Sequence, residues 1–133
     1  MSNVKEFIRR WGFSLLVMAT IFAFSSTPGN DLPNFASFDS IVKKGGHMLG
    51  YGLLAMTYWY GLDFKRDRPW LAWLMAVLYA ATDEFHQSFV PGRHPSPVDV
   101  LLFDGGGAAI MLFIVSRFLR LKMAGQQAHR NLP

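Results

Sequence analysis

The sequence contains no cysteine. A disulfide framework and a thiolate metal site are therefore excluded, although this absence does not identify a cellular compartment. Charged residues are also scarce, since they make up 17% of the 133 residues whereas hydrophobic residues make up 51%. This composition is more apolar and less charged than that of a typical soluble domain, and it favours a membrane protein of one domain.

Several sequence signatures of enzymes and repeat proteins are missing as well. The chain has no HExxH motif, no serine-nucleophile motif, no phosphatase signature and no internal repeat. Its net charge of +4 does not indicate a nucleic-acid partner, because the basic residues form short blocks between apolar stretches instead of one soluble face. We therefore expect no nucleic-acid partner.

Four apolar stretches alternate with polar segments along the chain. They are residues 11–30, 45–62, 69–82 and 105–116. The last two contain 14 and 12 residues, fewer than the roughly 17 to 25 that a spanning helix needs, so each must extend into the polar run 83–104 to cross a bilayer. The sequence therefore predicts an all-α, polytopic membrane helix bundle with four transmembrane helices over residues 1–124, followed by a polar C-terminal tail over residues 125–133.

The basic blocks predict the orientation of this bundle. They comprise Lys5, Arg9 and Arg10, then Lys65, Arg66 and Arg68, and finally Arg117, Arg120, Lys122 and Arg130. Under the positive-inside rule, both termini and the 63–68 loop lie in the cytoplasm, and the polar run faces outward. The tryptophans lie beside these blocks, as interfacial anchors would: Trp11, Trp59, Trp70 and Trp73. An integral membrane location with both termini cytoplasmic is therefore expected.

An alternative interpretation concerns the first apolar stretch. Lys5 to Arg10 resembles the basic region of a signal peptide, and residues 13–24 resemble its apolar region. Cleavage near Ser25 would remove residues 1–25 and leave three spans. The side that the polar run faces would be unchanged.

The third predicted helix carries adjacent carboxylates near its outer end. An Asp at the centre of a membrane helix costs about 2.5 to 3.5 kcal/mol on insertion scales, so such residues usually face a protein interior and mark function. Asp83, Glu84 and Gln87 share one face, and the two carboxylates lie about two turns below the end if the helix runs to Pro91. We predict Glu84 and Asp83 as acid–base candidates and Gln87 as a binding residue. The alternative is a helix end whose carboxylates only reach water.

The second predicted helix opens near Lys44 and adds a polar stripe of its own. Lys44, His47 and Tyr51 follow the spacing i, i+3 and i+7 and therefore share a face. His47 is a candidate acid–base partner of a carboxylate, and Lys44 and Tyr51 are candidate binding residues. The alternative for His47 is a structural hydrogen bond to an Asp or Glu. A metal-assisted version would draw its ligands from His47, Asp83, Glu84 and His86.

The segment after the third helix contributes three further candidates for binding. Arg93 lies in a Pro- and Gly-rich turn, where its guanidinium would clamp an internal carboxylate or contact an anionic ligand. Asp99 follows Ser96 by three residues, so it is either a binding residue or part of a capping box with Ser96 as the N-cap. Asp104 is too deep for capping. The glycines after Asp104, and the pair Gly46 and Gly50, favour close helix contacts.

Taken together, these residues resemble a known family. The patterns are Lys44-x-x-His47-x-x-x-Tyr51, Asp83-Glu84-x-x-Gln87, Pro91-Gly92-Arg93 and Asp99, followed by a glycine-rich helix. They resemble the VanZ-like family of teicoplanin-resistance membrane proteins. The resemblance implies a small polytopic protein of the bacterial cell envelope, in the cytoplasmic membrane, with a link to glycopeptide susceptibility and no settled activity. The chain departs from the family pattern at Gly50 and at Asp104, where members often have a larger side chain and Asn.

Two main functional hypotheses follow. In the first, the outward polar pocket binds or shields an amphiphilic or lipid-linked ligand, such as a membrane lipid, a cell-wall precursor or a lipoglycopeptide. In the alternative, the protein is a membrane-embedded enzyme that uses Asp, Glu and His acid–base or metal chemistry on a lipid-linked substrate. Ion transport through the carboxylates is a third possibility. The sequence identifies neither a cofactor nor an oligomeric state.

Overall fold

The computed structural model describes residues 2–65 and 67–130, without the side chains of Ser2 and of residues 128–130. Within these ranges the protein is all-helical, as the sequence predicted. The first three long helices are Ser2–Ser25, Asp39–Gly61 and Pro69–Gln87. The fourth helix has three parts: an α-helical turn at Pro97–Asp99, a π-helical segment at Val100–Asp104 and an α-helix at Gly105–Arg130. Residues 125–130 of the predicted polar tail therefore continue this helix, and residues 131–133 lie outside the described residues.

The starts of the third and fourth helices follow the sequence signals. Pro69 occupies the first turn of the third helix, where its missing N–H leaves no hydrogen bond unmade. Ser96 is the N-cap of the fourth helix, and its hydroxyl accepts the Asp99 N–H at 3.4 Å. The second helix begins at Asp39, five residues before the predicted start. Asp39 accepts the Phe35 N–H at 3.3 Å and pairs with Lys43 at 2.7 Å, which stabilises an additional first turn.

The third helix ends earlier than predicted. It stops at Gln87, and the chain then turns through the Phe89 N–H to His86 carbonyl bond at 3.0 Å and the Val90 N–H to Gln87 carbonyl bond at 3.0 Å. Gly92 completes the turn with a φ of 72°, a conformation that favours glycine. Asp83 and Glu84 therefore lie about one turn from the end of the helix, not two.

The second helix lies at the centre of the bundle and contacts each of the other three. Small side chains allow this packing, since the third helix turns a row of alanines inward. The row comprises Ala72, Ala76 and Ala80. Gly107 of the fourth helix approaches the second helix so closely that a Cβ atom there would lie 2.3 Å from the Met48 carbonyl oxygen. Gly107, in the glycine-rich segment after Asp104, thus provides the close helix contact that was expected there.

Two contacts show which connections share an end of the bundle. At one end, the Gly29 N–H donates to the Pro91 carbonyl at 3.0 Å, which joins the loop after the first helix to the turn after the third. At the other end, Arg10 pairs with Asp63 at 2.6 Å, which joins the start of the first helix to the connection after the second. We call the end with Gly29 and Pro91 the loop end.

The outer surface is strongly apolar. Large apolar side chains are exposed on all four helices, for example Leu16, Leu49, Phe85 and Ile110. Two helical segments, Asn3–Ser25 and Pro97–Gln127, are long and apolar enough to cross a membrane. A soluble protein rarely leaves so much contiguous apolar surface in contact with water, and a lipid environment removes this difficulty.

Not all tryptophans serve as the interfacial anchors that the sequence predicted. Trp70 is 60% exposed and fits that role, whereas Trp59 is 2% exposed. The Trp59 indole donates to the Lys65 carbonyl at 3.0 Å, and the Trp73 indole donates to the Gly105 carbonyl at 3.0 Å. Both indoles therefore bond to the backbone of the bundle itself.

Candidate functional site

The polar stripe of the second helix meets three aspartates. Each of its side chains bonds to a different carboxylate of the third or fourth helix. We use the name polar ladder for these three pairs: Lys44 Nζ with Asp99 Oδ1 at 3.3 Å, His47 Nδ1 with Asp104 Oδ1 at 3.1 Å, and Tyr51 Oη with Asp83 Oδ2 at 3.0 Å. The ladder runs from the loop end into the interior, because its residues succeed each other along the second helix.

The innermost pair of the polar ladder joins three helices. Asp83 is 3% exposed, and its Oδ2 accepts the Ser25 hydroxyl at 2.6 Å and the Gln87 amide at 2.9 Å in addition to the Tyr51 hydroxyl. Its other oxygen, Oδ1, is buried without a hydrogen-bond partner among the described residues. Ser25 was not among the predicted site residues, because a serine at the end of an apolar helix is common. Asp83 is thus an internal junction of the bundle.

In the middle pair of the polar ladder, His47 is partly exposed and Asp104 is buried. Asp104 is 2% exposed, whereas the side chain of His47 is 34% exposed. Asp104 lies in the π-helical segment, in which the Gly105 N–H donates to the Val100 carbonyl five residues earlier. Such segments are rare and frequently occur at functional sites. The bond to Asp104 occupies Nδ1 of His47, so Nε2 is the ring nitrogen left for a ligand.

Glu84, and not Asp99, accepts the backbone hydrogen bond that would complete a capping box at Ser96. The Ser96 N–H donates to Glu84 of the third helix, so Glu84 provides the return bond that Asp99 would make in a capping box. The Asp99 side chain instead pairs with Lys44, whose ammonium also lies 4.4 Å from the centre of the Phe103 ring. The capping interpretation of Asp99 is therefore wrong for its side chain, while Ser96 is the N-cap.

Among the described residues, Arg93 bonds to backbone carbonyls and pairs with no internal carboxylate. Its Nε donates to the Thr27 carbonyl at 3.0 Å, and its Nη2 donates to the Phe24 carbonyl. Phe24 lies in the last turn of the first helix and Thr27 lies two residues beyond its end, where a cation is favourable. Burial lowers the pKa of the Arg93 guanidinium, and the negative charges of Asp83 and Glu84 oppose this shift. An arginine remains charged near neutral pH.

His86 is directed to the first helix, away from Asp83. Its Nε2 lies 3.1 Å from the Ser26 hydroxyl, and its ring stacks on Phe22 with the centroids 4.6 Å apart. The four candidate metal ligands consequently have different neighbours. Within residues 2–65 and 67–130, no three His, Asp or Glu side chains gather as a group that could hold a metal ion.

A polar cavity of about 350 Å³ opens at the loop end. All the acid–base and binding residues that the sequence singled out line it, except Asp83 and Tyr51; they are Lys44, His47, Glu84, Gln87, Arg93, Asp99 and Asp104. Asp39, Lys43 and the exposed His94 also line it. The cavity therefore presents carboxylates and cations together, in addition to imidazole and amide groups.

A second cavity, of about 440 Å³, lies beside the polar one. Its walls are mainly apolar and come from the first helix, the second helix and the loop between them; they include Ile21, Phe24, Leu32, Pro33, Phe35 and Val42. Gly46 and Gly50 line it as well, so these glycines do not form the close helix contact that was predicted. A Cβ atom on Gly46 would meet no heavy atom within 4 Å. We refer to this space as the apolar cavity.

A family model described as VanZ/LLP1 matches residues 7–120. The chain belongs to the VanZ family. The match includes both cavities and the whole polar ladder, and it confirms the resemblance that the sequence motifs indicated. Comparison with the curated proteins and with the solved structures gives no match. With its two helices that are long and apolar enough to span a bilayer, the chain is a membrane-associated protein of the VanZ family.

Gly50 and Asp104, the two positions at which the sequence was expected to depart from the family pattern, both lie at the site. Gly50 lines the apolar cavity, and a Cβ atom there would lie 3.9 Å from the Ile21 side chain. Asp104 is the partner of His47. An Asn at position 104 could still bond to the imidazole, but it would not carry the negative charge that favours an imidazolium. These two positions therefore set the space and the charge at the site.

Proposed function

We propose that this VanZ-family protein spans a bacterial cytoplasmic membrane with four helices and binds the head group of an amphiphilic or lipid-linked ligand in its polar cavity. The observation that carries the proposal is the convergence of polar side chains from three helices, and from the connection between the third and fourth helices, on one cavity at one end of a bundle with a strongly apolar surface. Polar groups inside a membrane protein are expensive and are usually kept for function.

The dimensions of the second and third helices support four spans. They contain 23 and 19 residues, which corresponds to about 35 and 28 Å, close to the roughly 30 Å of a bilayer core. Both carry exposed apolar side chains, including Leu49 at 68% and Leu78 at 58% exposure. Several of their polar side chains, including Thr57, Asp83 and Gln87, are buried in the bundle, where they lower the hydropathy of the helix without being exposed at its surface.

The distribution of basic residues supports an outward orientation of the loop end. Arg10 and Asp63 lie at the opposite end, together with the neighbouring basic residues Lys5, Arg9, Lys65 and Arg68. The positive-inside rule places that end, and both termini, in the cytoplasm. The polar cavity then opens at the extracytoplasmic side, where a membrane lipid, a lipid-linked cell-wall precursor or a lipoglycopeptide such as teicoplanin is accessible.

The composition of the cavity favours a head group with both donors and acceptors. Lys44 and Asp99 are 41% and 37% exposed, so a ligand can reach both charges of this pair. A zwitterionic or polyhydroxylated head group would satisfy both signs, whereas a simple anion or cation would satisfy one only. Binding of this kind would shield the ligand and so alter glycopeptide susceptibility.

A titration of the purified protein in nanodiscs tests the proposal. The ligands are short-chain phosphatidylethanolamine and phosphatidylglycerol, a lipid-linked cell-wall precursor and teicoplanin. For the ligand that binds, Lys44→Met should weaken binding about tenfold or more, the factor expected for a lost charge-assisted hydrogen bond. Lys5→Met is the matched control, because Lys5 is an exposed residue near the opposite end. Equal affinities of the two variants, or no saturable binding of any ligand, would refute the proposal.

One observation favours the enzyme as a second candidate. His47 lines the polar cavity with Nδ1 bonded to a buried carboxylate, an arrangement that fixes the imidazole for proton transfer through Nε2. Under this hypothesis His47→Gln abolishes turnover but not binding, and Asp104→Asn lowers the rate. Mass spectrometry of membrane lipids incubated with the wild-type and His47→Gln proteins tests it. Identical lipid profiles would exclude the acid–base role.

A further inference from the structure

The polar and apolar cavities share one wall. Leu32, Lys43, His47 and Arg93 line both of them. The two cavities are therefore adjacent, with these side chains between them, and a ligand that reaches past these residues would occupy both. A molecule that matches the pair must be polar at one end and apolar at the other, with the change in polarity beside His47 and Arg93.

The apolar cavity has the lining expected of a site that binds a hydrocarbon chain. Its walls are hydrocarbon side chains such as Ile21, Phe24 and Val42, apart from the residues that it shares with the polar cavity and a few hydroxyl groups. Along the second helix, Gly46 and Gly50 leave space where other residues would place a side chain. Glycine disfavours a helix, so two glycines one turn apart would be unexpected unless the space itself is used.

We infer that the apolar cavity holds the hydrocarbon chain of the ligand whose head group occupies the polar cavity. The inference rests on the proposed function and specifies its ligand class: an amphiphile with a linear acyl or alkyl chain attached directly to its polar head. The chain leaves the head group beside His47 and Arg93 and lies between the first and second helices, against Gly46 and Gly50. Arg93 holds the first helix and the loop in place through the Thr27 and Phe24 carbonyls.

We expect the apolar cavity to fix the position of the hydrocarbon chain more than to increase the affinity for the ligand. A bilayer is as apolar as the cavity, so transfer of a chain from lipid into the cavity yields little hydrophobic gain. The cavity instead fixes where the chain lies and how the head group is oriented. A test should therefore measure the location of the chain.

The probe is a monoacyl phosphocholine with a diazirine near the end of its chain, incorporated in nanodiscs with the full-length protein. After photolysis, mass spectrometry maps the labelled residues. Labelling concentrated at residues 20–24 and 42–50 is expected, together with its loss when unlabelled monoacyl phosphocholine competes. Labelling spread evenly over the lipid-facing surfaces of all four helices would overturn the inference, because it would show only ordinary bilayer contact.

Two neighbouring glycines provide a matched pair of variants. Gly46→Leu fills the apolar cavity, whereas Gly45→Leu makes the same change on the same helix at a position that lines neither cavity. A Cβ atom at either position would have open space, so both variants should fold and unfold alike in a thermal melt. Labelling at residues 20–24 should fall about tenfold in Gly46→Leu, the factor for overpacking of a filled site, and stay unchanged in Gly45→Leu.

Failure of the inference can be distinguished from failure of the proposed function. If Lys44→Met weakens head-group binding while Gly46→Leu leaves the labelling pattern unchanged, the chain lies elsewhere and only the inference is overturned. If neither variant changes anything, both are overturned. Two competitors identify the source of the hydrocarbon chain. Displacement of the probe by phosphatidylethanolamine in the nanodisc would indicate a membrane lipid. Displacement by an acyl-bearing glycopeptide added to the buffer would indicate a ligand from outside the membrane.

Discussion

The contact between Gly107 and the second helix allows a sharp prediction about stability and function. A Cβ atom on Gly107 would lie 2.3 Å from the Met48 carbonyl oxygen and 2.6 Å from its Cα. Both are backbone atoms, so Gly107→Ala forces the two helices apart, at a cost of about 1 to 3 kcal/mol for overpacking. Gly106→Ala is the matched control, because a Cβ atom there meets nothing within 4 Å. The control should gain about 0.5 to 1 kcal/mol, since alanine is the better helix former.

The assay is unfolding of the purified protein by sodium dodecyl sulfate in mixed micelles, followed by circular dichroism. We expect the Gly107→Ala midpoint below that of the wild type and the Gly106→Ala midpoint at or above it. Separation of the helices also lengthens the His47 to Asp104 contact, so ligand binding should weaken in Gly107→Ala alone. Equal midpoints for the two alanine variants would mean that the fourth helix does not approach Met48 so closely, and the geometry of the polar ladder would lose its basis.

Three further variants test individual contacts of the site by the same unfolding assay. Glu84→Gln should stay close to the wild type, because the amide oxygen still accepts the Ser96 N–H, whereas Glu84→Ala should lose about 1 kcal/mol; equal losses would contradict the capping role. Tyr51→Phe removes a donor from the buried Asp83 and should cost about 1 to 3 kcal/mol, and an unchanged midpoint would argue against that hydrogen bond. Arg93→Lys keeps the charge but loses the two-carbonyl clamp, so it should be less stable than the wild type.

The convergence of the polar residues could be predicted because it follows from local patterns. Two apolar stretches were too short to span a bilayer without the polar run, which indicated that the carboxylates lie within the membrane protein. The helical spacing of Lys44, His47 and Tyr51 placed them on one face before any contact was known. Both arguments need only the period of a helix and the thickness of a bilayer.

The partners within the site were not predictable in the same way. His47 bonds to Asp104, not to Asp83 or Glu84. Asp104 is the last residue of the π-helical segment, in which each turn holds more residues than an α-helical turn, so its position differs from the one that a regular helix would give it. No residue pattern in VLLFD indicates this difference. Ser25 was missed for a related reason, because its role depends on where the first helix ends relative to Asp83.

The apolar cavity shows how one sequence pattern permits opposite structures. Gly46 and Gly50 have the small-xxx-small spacing that usually brings helices together, and Gly107 does bring two helices together. The two cases differ in how closely the neighbouring helix approaches the glycine. Beside Gly46 lies the apolar cavity, which loop residues such as Leu32, Pro33 and Phe35 also line, and Arg93 bonds to the Thr27 carbonyl just after the first helix. The spacing of glycines alone does not determine this separation.

The hydrogen bonds at the site indicate different roles for four of its carboxylates, which are those of Asp83, Glu84, Asp99 and Asp104. Asp83 lines neither cavity and bonds to three helices, so its role is to hold the bundle together. Glu84 lines the polar cavity but uses one oxygen to cap the fourth helix. Asp99 and Asp104 each bond to a partly exposed cation or imidazole of the second helix. The two outer pairs of the polar ladder are therefore the groups that can bind a ligand without loss of the fold, and substitutions there should change binding more than stability.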